Sequence, residues 1–145
     1  MFRLIVAAGL ACGCAAIAFA ADDVAALKKS GLIGTKWAVD CSKPESNSNY
    51  HLAYRVSAKG VPTEVLITTA GNDKARELRN VQVISDEWTV YTMTDQDGEF
   101  YDILTRREGD RKKSWRSIWK DAKPLIVDGK FADGNGQPPW FQLCK

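Results

Sequence analysis

The chain has 145 residues, of which 45% are hydrophobic and 26% charged, with a formal net charge of +2. Such a composition excludes a disordered polyelectrolyte, and the small net charge removes any requirement for an anionic partner. The length suits a single domain with one hydrophobic core.

The first segment reads as an export signal. Arg3 supplies a positive start, Leu4 to Phe19 is an almost unbroken apolar run, and Ala18-Phe19-Ala20 puts small residues where a signal peptidase inspects the chain. The run is shorter than the roughly 20 apolar residues that span a bilayer, so a cleaved signal is expected over a membrane anchor. Cys12 and Cys14 raise a lipoprotein alternative, but Gly9-Leu10-Ala11-Cys12 lacks the usual leucine three positions before the cysteine. Residues 1–21 are therefore expected to be removed, leaving one domain at 22–145 that is periplasmic or secreted and has no transmembrane segment. Loss of Arg3 leaves 19 basic against 18 acidic side chains, a net of +1.

Asp22 to Gly31, with acidic residues leading, lysines closing and a glycine following, predicts a short helix. The period then changes to two. Trp37, Val39 and Cys41 share one face, as do Tyr50, Leu52, Tyr54 and Val56, with the polar loop Ser42 to Asn49 between them. Further strands are predicted at Val61 to Thr69, Leu78 to Ile84, Glu87 to Thr94 and Glu99 to Arg107. Ala70 to Asp73, Asp95 to Gly98 and Glu108 to Asp110 supply the turns. Ser114 to Trp119 and Pro124 to Asp128 follow, and Asp133 to Pro139 leads into Trp140 to Cys144. This gives eight candidate strands and a terminal extended segment. Trp115, Ile118 and Trp119 also fit a short helix ended by Pro124, although Ser114, Ser117 and the nearby turns favour extended chain.

After the signal two cysteines remain, Cys41 and Cys144. In an exported chain they are expected to form a structural disulfide that brings the two ends together. Short strands separated by Gly, Asp and Asn turns, without long helices between them, argue for an antiparallel sandwich or barrel. The barrel is favoured because it leaves no edge strands. The short helix, the strand count, the bridge and Gly34-Thr35-Lys36-Trp37 together resemble the calycin group, in particular small exported bacterial lipocalin-like barrels. The lipocalin pattern has one residue between glycine and tryptophan, where this chain has two. The resemblance implies an all-β, eight-stranded antiparallel barrel and carries no activity with it.

Several residues invite a chemical reading. His51 is the single histidine and lies opposite the apolar face of its strand, which makes it a surface or rim side chain. Asp95, Asp97 and Glu99, and separately Asp133 and Asn135, resemble fragments of calcium loops but read better as turns. Glu64, Asp102 and Glu108 are the candidate acids; Asp102 alternates with Phe100 and Leu104 and points inward with them if that face is the core, toward a partner such as Arg106 or Arg55, whereas a structural ion pair or exposure after a shift of register is the favoured alternative. Between Arg106 and Lys123 eight basic residues face three acidic ones, interleaved with Trp115 and Trp119.

No nucleophile-and-base pair or metal-ligand set is recognisable, so neither catalysis nor a cofactor is expected. The sequence supports a barrel that binds a small apolar molecule or lipid at a mouth lined by Tyr50, Tyr54, Trp88, Phe100 and Asp102, in a cavity on the order of 300 Å³ or more. The alternative is an interaction or inhibitor protein of the envelope, meeting an anionic component through its loops and the basic hairpin at Arg111, Lys112, Lys113 and Arg116. Nucleic acid is not an expected partner, and a monomer is expected. Trp37, Trp88, Trp115 and Tyr101 crowd the same interior, so a filled barrel competes with an open one.

Overall fold

A computed structural model describes residues 14–69 and 73–145. Arg3, most of the predicted apolar run and Ala70 to Asn72 of one predicted turn lie outside these residues. Helix α1 (Cys14–Lys29) is followed by strands β1 (Lys36–Ala38), β2 (His51–Val56), β3 (Pro62–Ile67), β4 (Asp73–Val83), β5 (Trp88–Thr94), β6 (Phe100–Glu108) and β7 (Arg111–Trp119). A short 3-10 turn at Lys120–Ala122 leads to β8 (Lys123–Val127), β9 (Lys130–Phe131) and β10 (Phe141–Cys144). No helix among the described residues is long and apolar enough to cross a membrane.

Strands β1 to β7 form an antiparallel meander, and β10 pairs with both β1 and β7, closing an eight-stranded barrel. The free edge of β7 is divided: Arg111 and Lys112 pair with β10, whereas Ser117 to Trp119 pair with β8. The predicted strand Pro124 to Asp128 is therefore real but stands outside the barrel, and the terminal segment takes its place in the wall. The stretch around Trp115 to Trp119 is strand, as its serines suggest.

The helix extends further back than the predicted Asp22 start, and it stops where the sequence says it should. Gly31 (φ 70°) donates to the Lys28 carbonyl at 3.0 Å and Leu32 donates to the Leu27 carbonyl at 3.1 Å, a Schellman ending that only glycine adopts without strain. Leu27 and Leu32 then pack on Trp37, Leu78 and Val81 within the core. At β4 the register with β5 slips between Arg79 and Gln82, Asn80 takes φ 53°, and the amide of Val81 bonds Asp23 of the helix at 2.7 Å. Arg107 completes this end: its guanidinium lies 5.6 Å from the Trp37 ring and donates to the Ser30 carbonyl at 2.8 Å.

The core runs through Trp37, Leu52, Tyr54, Tyr91, Met93, Ile103 and Phe141. On β6 the inward residues are therefore Tyr101, Ile103 and Thr105, the opposite face from Phe100, Asp102 and Leu104. Both faces of β6 carry large apolar residues, so a period of two does not by itself say which is inside.

The Cys41–Cys144 disulfide is present, with its Cα atoms 5.4 Å apart. It does more than join first strand to last. Cys144 stands opposite Lys36 in the β1–β10 ladder, and Cys41 lies five residues beyond Lys36. Five extended residues would carry the chain roughly 16 Å away. The chain after β1 must therefore double back over β10, and the bridge holds it there. Asn49 shapes the rest of this loop: its amide nitrogen donates to the carbonyls of Asp40, Lys43 and Pro44 at 3.0 to 3.2 Å, and its oxygen accepts the Asp40 amide at 2.8 Å.

Candidate functional site

The barrel interior holds a polar cluster built from six strands, β2 to β7. Tyr54 on β2 is fully buried, and its hydroxyl donates to Glu64 Oε2 on β3 at 2.5 Å. The same hydroxyl accepts from Lys112 Nζ on β7, also at 2.5 Å. Glu64 Oε1 meets Arg76 Nη1 on β4 at 3.4 Å, so both of its oxygens are engaged. Tyr91 on β5 accepts from Thr105 on β6 at 3.3 Å.

Lys112 is the unusual member. Alternation places it inward beside its ladder partners Arg107 and Phe141, and it is 4% exposed. Its ammonium sits over the rings of Tyr54 (4.5 Å), Trp37 (5.6 Å) and Phe141 (5.7 Å), an aromatic cage that partly replaces water. Burial lowers its pKa to about 8, against which the Glu64 carboxylate works in the opposite sense. Burial, followed by the Glu64 charge, also raises the Tyr54 and Tyr91 phenols well above their usual value.

Next to this cluster lies a cavity of about 120 Å³, lined by Glu64, Arg76, Tyr91, Lys112 and Ser114 on its polar side and by Tyr50, Leu52, Met93, Ile103 and Phe141 on its apolar side. Tyr50 packs edge-on against Phe141 at 5.2 Å. The expected mouth of Tyr50, Tyr54, Trp88, Phe100 and Asp102 is thus divided. Tyr50 and Tyr54 belong to the interior. Phe100 is 50% exposed, Asp102 is exposed and accepts from Thr92 at 2.8 Å, and Trp88 lies on the outer wall. The interior offers less than half the expected volume, and its lining is mixed.

The predicted basic surface of Arg111, Lys112, Lys113 and Arg116 is divided in the same way. Arg111 and Arg116 are exposed. Lys112 points inward, and Lys113, 5% exposed, points outward but lies under the chain that follows β8, where it donates to the Gly129 carbonyl and the Gln137 side chain at 3.2 Å each. The β6–β7 register slips between Leu104 and Thr105, leaving Trp115 as the extra residue of a bulge. Trp115 consequently turns outward, stacking edge-on against Trp88 at 5.6 Å.

Around it the outer wall carries alternating rings and cations. Arg106 lies 5.5 Å from Trp88 and 4.9 Å from Trp115, Lys113 lies 5.4 Å from Trp115 and 5.1 Å from Trp140, and Arg111 lies 4.6 Å from Trp140. Glu108 pairs with both Arg106 (3.2 Å) and Arg111 (2.6 Å).

His51 is on the outer side of β2 as alternation predicts, but it is buried to 4% exposure beneath the loop that Asn49 shapes. Its Nε2 is 3.3 Å from Asn49 and its Nδ1 is 3.6 Å from Glu45. Asp95 accepts the amides of Asp97 and Glu99, and Asp133 accepts that of Asn135, so both calcium-like fragments serve as turn anchors. Arg76, Tyr91 and the inward Lys112 were missed as site residues. Arg76 could have been found, since it shares the face of Leu78 two residues on.

Fold and site together define a closed eight-stranded antiparallel barrel, plugged at one end by a helix and holding one internal polar cluster, an architecture consistent with the lipocalin-like group. No family model matches the chain, and no match is found among curated proteins or among solved structures.

Proposed function

We propose that this chain is an exported, lipocalin-like binding barrel without catalytic activity, acting in the periplasm or outside the cell, whose ligand is small and enters the interior cavity. The observation that carries the reading is the cavity of about 120 Å³ bordered by the buried ammonium of Lys112. A dry cavity of about 150 Å³ accommodates benzene, so the ligand here has about six heavy atoms or fewer. That size and the mixed lining favour a small, partly polar ligand over a lipid or a purely apolar molecule. The occupied hydrogen bonds of Tyr54 and Glu64 favour binding over chemistry, because each proton already has its partner.

Native mass spectrometry of protein purified from an exporting host, followed by a thermal-shift screen of small polar molecules, tests the proposal. A ligand at about 100 times its dissociation constant stabilises the fold by about 2.7 kcal/mol, which is several degrees of melting temperature. A screen in which nothing co-purifies and nothing shifts the transition defeats the reading. Cell fractionation that leaves the protein in the cytoplasm defeats the localisation.

The outer wall favours a second reading, an envelope-interaction protein that meets an anionic component through Arg106 and Arg111 among the tryptophans and the exposed Arg116. Charge reversal at Arg111 and Arg116 should abolish capture of envelope material at low salt if this surface is used.

A further inference from the structure

We propose that the interior cavity is a site for a small monocarboxylate, held between Lys112 and Arg76. The inference rests on the small-ligand reading above and assigns the ligand its charge. Three charged groups face the cavity: Lys112 from β7, Arg76 from β4 and Glu64 from β3. Lys113 also lines it, but its ammonium is bound on the outer side by Gly129 and Gln137. The cavity therefore carries an excess of one positive charge.

The hydrogen-bond inventory points the same way. Glu64 has both oxygens engaged, one by Tyr54 and one by Arg76. The ammonium of Lys112 has three donors, of which Tyr54 takes one while its other neighbours are ring faces. The surplus in this cavity is of donors. Tyr50 and Ser114, each carrying a hydroxyl, stand on the same lining.

An anion satisfies that surplus; a cation meets two like charges, and a purely apolar guest leaves the buried ammonium as it was. The two-sided lining decides which anion. A carboxylate directs its oxygens to Lys112 and Arg76 and its short alkyl end to Leu52, Met93, Ile103 and Phe141. The volume limits that alkyl end to a few carbons.

Titration calorimetry of the purified protein with propionate and with propionamide, its neutral counterpart of the same size, tests this directly. Propionate is expected to bind at least about tenfold more tightly than propionamide, and Lys112→Met and Arg76→Gln are each expected to lose at least about tenfold in propionate affinity. Circular dichroism establishes that each variant is folded; Arg76 lies at the edge of the core, so Arg76→Gln keeps the test available if Lys112→Met does not fold. Propionamide binding as well as propionate, or better, overturns the carboxylate assignment and leaves the small-ligand reading standing. Phosphate or chloride binding as tightly as propionate overturns the preference for a carboxylate. If neither propionate nor propionamide binds while another small polar molecule does, the assignment fails alone; if no small molecule binds, both readings fail.

Discussion

Lys112 and Lys113 are adjacent in sequence and lie on opposite sides of the barrel wall, both almost entirely buried. Lys112 sits inside among Tyr54, Trp37 and Phe141, close to Glu64; Lys113 sits outside between Trp115 and Trp140, bound by a backbone carbonyl and a glutamine. The same pairing of cation and aromatic rings thus serves two ends. Outside, the Lys113 ammonium is satisfied by a carbonyl and an amide oxygen, while neighbouring Arg106 and Arg111 reach solvent and share Glu108. Inside, the ammonium is cut off from water and depends on a short chain of hydrogen bonds. A single charge there is expensive, and expensive charges mark sites.

The contrast can be broken most sharply through its carboxylates. Glu64→Gln removes the charge that compensates Lys112 and is expected to cost about 3 kcal/mol in denaturant unfolding at pH 7. A smaller effect is expected from pH. Because the folded-state pKa of Lys112 is lowered to about 8 from 10.5, the unfolded chain binds more protons between those values. Stability should therefore rise as pH increases from about 8 toward about 10, by on the order of 2 kcal/mol, and Lys112→Met should flatten that rise. Above the ordinary phenol value of 10.0 the sign reverses, since Tyr54 and Tyr91 ionise first in the unfolded chain.

On the outer wall the effects are expected to shrink. Lys113→Met loses two hydrogen bonds but keeps most of its packing, and should cost about 1 kcal/mol. Glu108→Gln should cost less than about 1 kcal/mol and vanish in high salt, in contrast to Glu64→Gln. Equal losses from the two glutamate substitutions would show that the wall does not separate the two environments.

How much of this could be read beforehand follows from the same contrast. Alternation in Tyr50 to Val56 correctly placed Leu52 and Tyr54 inside, and Glu64 stood out as a candidate acid. The turn at Asp95 to Gly98 and the pairing of Cys41 with Cys144 were equally plain, because each depends on local chemistry or on counting. Lys112 was not legible as an interior residue: Arg111, Lys112 and Lys113 are all basic, so no polarity difference marks the inward one. Trp115 was misplaced because a bulge adds one residue to β7, and a period of two carried across a bulge reverses every side chain beyond it. Asp102 was misplaced because Phe100 and Leu104 on one face of β6 compete with Tyr101 and Ile103 on the other.

The bridge between Cys41 and Cys144 also sets an order of events. Its partners are 103 residues apart, and the second belongs to the strand that closes the barrel. The disulfide that pins the Asn49 loop over His51 therefore cannot form until Cys144 has been synthesised and brought back beside the first strand. A chain that stops short of Cys144 would have a shortened β10 and a free thiol at Cys41, so it is chemically distinguishable from one that carries the bridge.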